Sequence, residues 1–176
     1  MTYRHIAGVK VTPPKFSGDK KFRYRLEISL KNSSNRTTTA CVVMQNPSCA
    51  GMEVADKSVQ FMEKIIFQKN LPVFADVWRL IVVNQFARIQ TNGFLGSEEE
   101  IGRENNSEIE KALKESDIII IGWGCTNSFG ERKTFIFDLL GKLEGKQLFQ
   151  TRTHPSRGCF TDFIQPLNQS LAAIVA

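Results

Sequence analysis

The sequence predicts an α/β fold with three layers, in which a mostly parallel central sheet is covered by helices on both faces. Short apolar runs alternate with segments of helical periodicity, and polar strand ends recur about every 30 to 40 residues, the length of a βα unit. The run at residues 118–121 is isoleucine throughout, which is typical of a strand buried on both faces. Length and composition favour one domain over residues 1–176.

The beginning of the chain is predicted to differ from the rest. Residues 1–23 include two adjacent prolines and are expected to be irregular or to lie at the edge of the sheet. Residues 24–30 alternate apolar with polar side chains, as a half-buried strand does. A turn rich in asparagine and serine follows, and residues 40–44 form an apolar strand.

The remaining elements follow from the same two periodicities. They are a helix that Asp56 caps and that places residues 59, 62, 65 and 66 on one face, a strand at 78–83, a helix at 108–114, a strand at 118–121, a helix at 132–140 and a strand at 146–151. The loops between them are rich in glycine, proline and asparagine, which supports the proposed boundaries.

Four of the predicted strands are followed by residues with distinctive side chains or backbones. These are Asn46, Asn84, the Gly122-Trp123-Gly124 turn and His154. Parallel strands point their C-terminal ends the same way, and open α/β sheets bind ligands at that rim. Asn46 and His154 each precede a proline, which restricts the backbone of both residues just past a strand end. Because both strand ends are expected at one rim, the sequence predicts that the two side chains face each other across one crevice.

Composition sets broad limits on function. Lysine and arginine number 23 against 18 acidic residues, which gives a net charge of +5 and an isoelectric point near 9.1. This excess permits a polyanionic partner such as DNA without showing one. No apolar run reaches the ~18 residues of a membrane span and no signal peptide is recognised, so no membrane partner is expected.

Cysteine spacing argues against a metal site. Cys41, Cys49, Cys125 and Cys159 show no C-x-x-C pattern, so no zinc or iron–sulfur centre is predicted. We expect free thiols in a reduced cytoplasmic setting, and we expect neither a metal nor a cofactor.

Four motifs, each at the end of a predicted strand, carry a resemblance to a known enzyme superfamily. They are Met44-Gln45-Asn46-Pro47, Val82-Val83-Asn84, Ile121-Gly122-Trp123-Gly124 and His154-Pro155-Ser156. In this order, over about residues 40–165, they resemble the motifs of the uracil-DNA glycosylase superfamily. The first is similar to the Gly-x-Asn-Pro motif of the mismatch-specific and thymine branch. The whole chain is also similar to an uncharacterised bacterial and phage-associated domain family placed near that superfamily.

The resemblance implies a uracil-DNA glycosylase-like fold, DNA as a partner and a role for each motif. Asn46 would hold a water near the anomeric carbon, and His154 would donate a hydrogen bond to the leaving base. Asn84 would read the edge of a flipped base, with Ser48 beside it. An aromatic side chain should stack on that base, and Trp123 and Phe86 are the candidates.

Other residues near the motifs receive roles that are less specific. Ser156, Arg157 and Arg152 flank the histidine and are expected to contact the DNA backbone. Asp56 is predicted to cap a helix. Because it follows the first motif, a second role as an activator of water is also considered.

The sequence departs from the family pattern at several positions. Met44 replaces the glycine of the first motif, and Ser48 stands where the uracil-specific branch has a tyrosine that blocks the methyl group of thymine. A roomier pocket, and therefore a modified or mismatched base rather than uracil, is expected. Arg157 and Gly158 follow His-Pro-Ser, where relatives often carry a proline and a leucine wedge.

The chemistry fits these residue types. Cleaving a base from deoxyribose needs a placed water on one side and stabilisation of the departing negative charge on the other. An asparagine amide does not titrate, so Asn46 can position a water but not deprotonate it. A neutral imidazole is sufficient for His154 to act as a donor.

Alternatives remain at the level of the sequence. Asn46-Pro47 is also a common turn, His154 can cap a helix, and Asn84 can bond to the backbone. The Gly122-Trp123-Gly124 turn is also explained by packing alone. At the level of function, the alternatives are an enzyme acting on free nucleosides or nucleotides, and a non-catalytic module that binds nucleic acid or a modified base.

Overall fold

A computed structural model describes residues 2–124 and 127–167, and it shows a mixed α/β fold. The strands are β1 (Val9–Phe16), β2 (Arg23–Leu30), β3 (Thr38–Met44), β4 (Val77–Asn84), β5 (Ile118–Ile121), β6 (Gln147–Thr151) and β7 (Ile164–Pro166), and the α-helices are α1 (Lys57–Phe67), α2 (Asn105–Glu115) and α3 (Gly130–Leu140). Every strand and helix predicted from the sequence is present, and β1 and β7 are additional.

The described strands form one seven-stranded sheet in the order β1-β2-β4-β3-β5-β6-β7. Its four central strands, β4, β3, β5 and β6, are parallel, and a helix lies between each of them and the next along the chain. The pairings β1–β2, β2–β4 and β6–β7 are antiparallel. The prediction of a mostly parallel sheet is therefore wrong, because three of the six strand pairings are antiparallel: β1–β2 and β6–β7 are connected without an α-helical crossover, and β2 runs opposite to β4.

Alternating side chains on the central strands divide the core into two layers. Ala40 and Val42 of β3 pack on the side of α1, whereas Cys41 and Val43 pack on the side of α2 and α3. The three-layer arrangement predicted from the unbroken apolar strands is thus present. No helix within the described ranges is long and apolar enough to span a lipid bilayer.

Helix α1 shows how local sequence signals agree with packing. Asp56 is its N-cap, and the carboxylate Oδ1 accepts a hydrogen bond from the Val59 N–H at 2.9 Å. The predicted apolar face, including Met62 and Ile65, is fully buried against the sheet. The cap therefore fixes where the helix begins, and the sheet fixes which side faces inward.

The N-terminal segment lies at the edge of the sheet. Residues 1–23 were expected either to be irregular or to lie at this edge. Strand β1 pairs only with β2, and its register shifts between Thr12 and Lys15, where the two prolines lie. Upstream, Tyr3 forms an antiparallel bridge with Ala55, which precedes α1. The first residues are thus held against the α1 layer.

A buried ion pair secures this segment. The Nδ1 atom of His5 bonds to the Glu63 carboxylate on α1, and the Nε2 atom donates to the Gly51 carbonyl at 2.9 Å. Both ring nitrogens face oxygen acceptors, so the imidazolium form satisfies both contacts. Burial alone would lower the pKa of His5, but the hydrogen bond and charge of Glu63 outweigh it and the pKa is raised.

This pair predicts a pH-dependent stability. Because the folded-state pKa of His5 lies above 6.5, its contribution is complete below the unfolded pKa and is lost as the pH rises through the folded one. We expect the stability difference between the wild type and the double variant His5→Gln/Glu63→Gln to be largest near pH 5.5 and to shrink by pH 8.5. Urea unfolding across this range measures it, and a difference that grows with pH would contradict the assignment.

Candidate functional site

A cleft of about 400 Å³ opens at the C-terminal rim of the parallel strands, on the side of α1. Its volume suits a small ligand such as a nucleobase with its sugar. Six of the residues predicted from the sequence line it: Asn46, Ser48, Asp56, His154, Ser156 and Arg157. The convergence of Asn46 and His154 on one cleft, the central expectation of the sequence, is present in the structure.

The amide of Asn46 is held in one orientation by backbone oxygens. Its Nδ2 atom donates to the Gln90 carbonyl at 2.6 Å and lies 3.4 Å from the Pro47 carbonyl. Two carbonyl neighbours require the NH2 group at this end, and the Oδ1 atom at the other end has no hydrogen-bond partner in the part of the chain that the structure describes. Asn46 can therefore accept a hydrogen bond from a ligand or a water in the cleft.

The ring of His154 is also fixed in one tautomer. Its Nδ1 atom accepts from the Ser156 N–H at 3.2 Å and lies 2.9 Å from the Ser156 hydroxyl. Acceptance at Nδ1 places the proton of the neutral ring on Nε2, which has no hydrogen-bond partner among the described residues. Burial and the nearby Arg157 charge lower the pKa of His154, with Asp56 acting in the opposite direction. At neutral pH the ring is thus an uncharged donor.

The segment that follows β5 packs closely against His154. Gly124 has a positive φ of 81°, and a Cβ atom on it would lie 2.7 Å from the His154 backbone nitrogen. At Gly122 a Cβ atom would meet the Val42 side chain at 2.8 Å. Gly124 therefore permits the close approach of the histidine loop to the end of β5, and Gly122 permits the close approach of that strand end to β3.

Helix α1 begins at the wall of the cleft. Asp56 uses Oδ1 for its capping bond, and no described residue bonds to Oδ2. Lys57 and Ser58, in the first turn, also line the cleft. The site thus combines one carboxylate with the cationic side chains of Lys57 and Arg157.

Several lining residues were not predicted from the sequence. Gln90 and Thr91 come from a segment that appeared to be only a polar loop, and Tyr3 comes from the N-terminal segment. The Thr91 hydroxyl lies 3.0 Å from that of Ser48 and closes one side of the cleft. No local pattern marks these residues, because they arrive through long-range contacts with residues 45–48 and 55.

Two predicted base-binding residues lie elsewhere. Asn84 is 1% exposed, and its Oδ1 atom accepts from the buried Arg23 guanidinium at 3.3 Å. Trp123 is buried and packs edge-on against Phe137 with ring centroids 5.7 Å apart. Neither lines the cleft. Packing describes the surroundings of Trp123, whereas the Asn84 side chain bonds to the Arg23 side chain and, among the described residues, not to the backbone.

Phe86 and Arg152 also lie outside the cleft. Phe86 is buried against Phe94 and Phe129 and lines a separate cavity. Arg152 is exposed near the histidine loop, where its backbone N–H donates to the Phe163 carbonyl. Ser156, expected to contact DNA, uses its hydroxyl to hold His154.

The three cysteines among the described residues are free thiols that differ in burial. Cys41 is buried in β3, where burial raises the pKa of its thiol to about 12, whereas Cys49 and Cys159 are exposed. Cys125 lies outside the described residues. Within residues 2–124 and 127–167, no group of three or more histidine, cysteine or acidic side chains is arranged to hold a metal.

Comparison with known proteins gives one match. A family model described as "Protein of unknown function (DUF1643)" matches residues 23–157, a range that contains the six predicted cleft residues. No curated protein and no solved structure matches the chain. The predicted similarity to an uncharacterised domain family is confirmed, and the resemblance to uracil-DNA glycosylases stays a prediction.

The two histidines provide a test of the site geometry. We expect His154 to titrate below pH 6.5 and His5 above it, because burial disfavours the first imidazolium and Glu63 stabilises the second. Nitrogen-15 chemical shifts of the rings, followed between pH 5 and 8, would measure both and would show the neutral His154 protonated on Nε2. Equal titration of both rings, or a proton on His154 Nδ1, would contradict the geometry.

Proposed function

The chain belongs to the DUF1643 family, whose function is unknown, and we propose its function from the geometry of the cleft. We propose a DNA glycosylase-like hydrolase, related to the uracil-DNA glycosylase superfamily, that cleaves the N-glycosidic bond of a modified or mismatched base. The observation that carries the proposal is one cleft holding a free amide oxygen on Asn46 and a free N–H donor on His154.

Asn46 is suited to position the nucleophile. Its Oδ1 atom accepts a hydrogen bond from water, which turns a lone pair of that water away from the amide and toward the sugar. The short bond to the Gln90 carbonyl keeps the amide from rotating. A preoriented water of this kind reduces the entropic cost of attack on the anomeric carbon.

His154 is suited to stabilise the leaving group. Negative charge develops on a carbonyl oxygen of the departing base, and a hydrogen bond from Nε2–H strengthens as that charge grows. The Ser156 contacts fix the tautomer that makes this donor available. The neutral ring needs no proton transfer for this role.

Asp56 supplies the remaining charge. Its Oδ2 atom is free of protein hydrogen bonds among the described residues, and the carboxylate lies at the cleft wall. A carboxylate there stabilises the positive charge of an oxocarbenium-like sugar and accepts a proton from the attacking water. Capping α1 and this role use different oxygen atoms, so the two are compatible.

Substrate class follows from the walls of the cleft. Ser48 and Thr91 present small hydroxyl groups, which leave room for a substituent on the base. Arg157 and Lys57 lie at the same opening, and the net charge of +5 favours a polyanion. These features support a substituted base carried on DNA. A phage-modified base, and a setting in base excision or phage defence, enter the proposal through the family resemblance alone.

A second candidate is an enzyme acting on free nucleotides. The first turn of α1 faces the cleft with Lys57 and Ser58, an arrangement that also suits one phosphate group. This candidate predicts release of base from monomers. A non-catalytic binding module predicts neither reaction.

The catalytic test compares base release by matched variants. Duplexes carrying uracil, a G·T mismatch or 5-hydroxymethyluracil are incubated with protein, and abasic sites are then cleaved with alkali. We expect Asn46→Ala to lower release by roughly a hundredfold and His154→Ala by roughly a hundredfold or more. The control variant, Asn106→Ala, makes the same asparagine-to-alanine substitution at an exposed position of α2 and should leave the rate of base release unchanged.

The same assay separates the alternatives. Release of base from the corresponding free deoxynucleotides but not from duplex DNA would favour the second candidate. Binding of DNA without base release, with the same affinity in the wild type and in Asn46→Ala, would favour a binding module. Full activity in both cleft variants would overturn the site assignment.

A separate experiment tests the DNA contact. Arg157→Ala should weaken duplex binding and reduce its dependence on salt, because one phosphate contact is lost. Lys31→Ala removes the same charge from an exposed position beside the N-terminal ends of the parallel strands, at the rim opposite the cleft, and serves as the matched control. Fluorescence anisotropy at several salt concentrations measures both, and identical salt slopes for the two variants would contradict the assignment.

A further inference from the structure

A second cavity of about 430 Å³ lies at the start of α3, beside the segment that follows β4. Its lining includes Phe86, Phe129, Glu98, Glu131 and Arg132, none of which lines the Asn46 cleft. We call it the Arg132 cavity. It contains Phe86, one of the two predicted stacking residues that do not line the Asn46 cleft.

Arg132 is a buried cation without an anionic partner among the described residues. The residue is 7% exposed, and its Nε atom donates to the Gln85 carbonyl at 2.9 Å. Its buried Nη2 atom has no hydrogen-bond partner within residues 2–124 and 127–167. No carboxylate of the described residues lies within 4.0 Å of it. Burial lowers its pKa to about 10, so it remains charged at neutral pH. An unpaired buried charge is costly, and a bound anion would offset that cost.

The helix end adds further donors at the same place. The N-cap residue of α3 is Phe129, whose side chain cannot accept a hydrogen bond. Among the described residues, the backbone N–H groups of Glu131 and Arg132 have no acceptor. The positive end of the helix and the guanidinium thus point to an oxyanion.

The walls select for a flat body attached to that oxyanion. The Phe86 and Phe129 rings pack edge to face with centroids 4.9 Å apart, and both line the cavity with Ile101. The Arg132 guanidinium lies over the rings of Phe86 and Phe135 at 5.8 and 4.8 Å. An aromatic or similarly flat apolar group would continue this packing.

The carboxylates in the lining limit the charge of the ligand. Glu98 and Glu131 lie at exposed positions, so they remain hydrated and repel anions at the entrance. The positive charge of one guanidinium and one helix end acts against the negative charge of these two carboxylates. The cavity should therefore bind a ligand with one negative charge better than a ligand with two.

We propose that the Arg132 cavity is a second ligand site, which binds a small flat monoanion such as an aromatic carboxylate. The oxygens of the ligand meet the Arg132 guanidinium and the first N–H groups of α3, and its ring lies against Phe86 and Phe129. The site is independent of the Asn46 cleft and of the reaction proposed there.

The test uses benzoate, acetate and inorganic phosphate as probes of the intact chain, by calorimetry and by NMR of the phenylalanine rings. We expect benzoate to bind in the millimolar range or tighter. Acetate should bind at least roughly tenfold more weakly, since it lacks the buried ring. Phosphate, largely a dianion at pH 8, should bind more weakly still, and absence of benzoate binding to the wild type would overturn the proposal.

Arg132→Met distinguishes a ligand site from a structural arginine. It should weaken benzoate binding at least roughly tenfold, while the Tm of the free protein stays the same or rises because a buried unpaired charge is removed. Arg157→Met removes a charge from the Asn46 cleft and should leave benzoate affinity unchanged. Unchanged affinity in Arg132→Met would overturn the proposal.

A further variant keeps the test decisive if Arg132→Met fails to fold. Glu98→Gln/Glu131→Gln changes only exposed side chains and should tighten benzoate binding by roughly threefold or more, because repulsion at the entrance is removed. Weaker or equal binding in this double variant would contradict a site selected for one negative charge. Base release from DNA should be unaffected, so failure of this proposal is separable from failure of the proposed function.

Discussion

The parallel register of β4, β3, β5 and β6 is the constraint on which the rest of the molecule depends. Most side chains of β3, β4 and β5 are buried in the two core layers, and a one-residue slip of the register would move each side chain into the wrong layer. The C-terminal ends of the four parallel strands consequently lie along one rim. Every chemically distinctive loop of the chain, from Asn46 to His154, begins at that rim.

The end of β4 separates two cavities along this rim. The Asn46 cleft lies on the α1 side, and the Arg132 cavity lies on the side of α3. A group of buried polar side chains lies around the end of β4, and atoms of Arg23, Asn84, Gln85, Asn105 and Arg132 have no hydrogen-bond partner among the described residues. Such groups reduce stability, and proteins retain them most often where a binding site needs polar groups held in place.

The helices and central strands could be predicted because their signals are local. The four isoleucines of β5 and the Asp56 cap of α1 indicate their structures without reference to the rest of the chain. Strands β1 and β7 were not predicted, because β1 contains prolines and β7 has three residues. The antiparallel direction of the outer strands was also not predicted. A strand's direction in the sheet depends on the neighbour with which it pairs, and the composition of the strand does not specify that neighbour.

The sequence alone determined which residues stand at the strand ends, because the apolar periodicity fixes where each strand stops. It thereby identified Asn46 and His154 as partners across one cleft. The tertiary structure decided which of the other strand-end residues reach that cleft, since Asn84 and Trp123 turn inward while Gln90 arrives from a distant loop. It also gave the two histidines opposite pKa shifts, because electrostatic environment depends on neighbours such as Glu63 and Arg157 that long-range folding supplies.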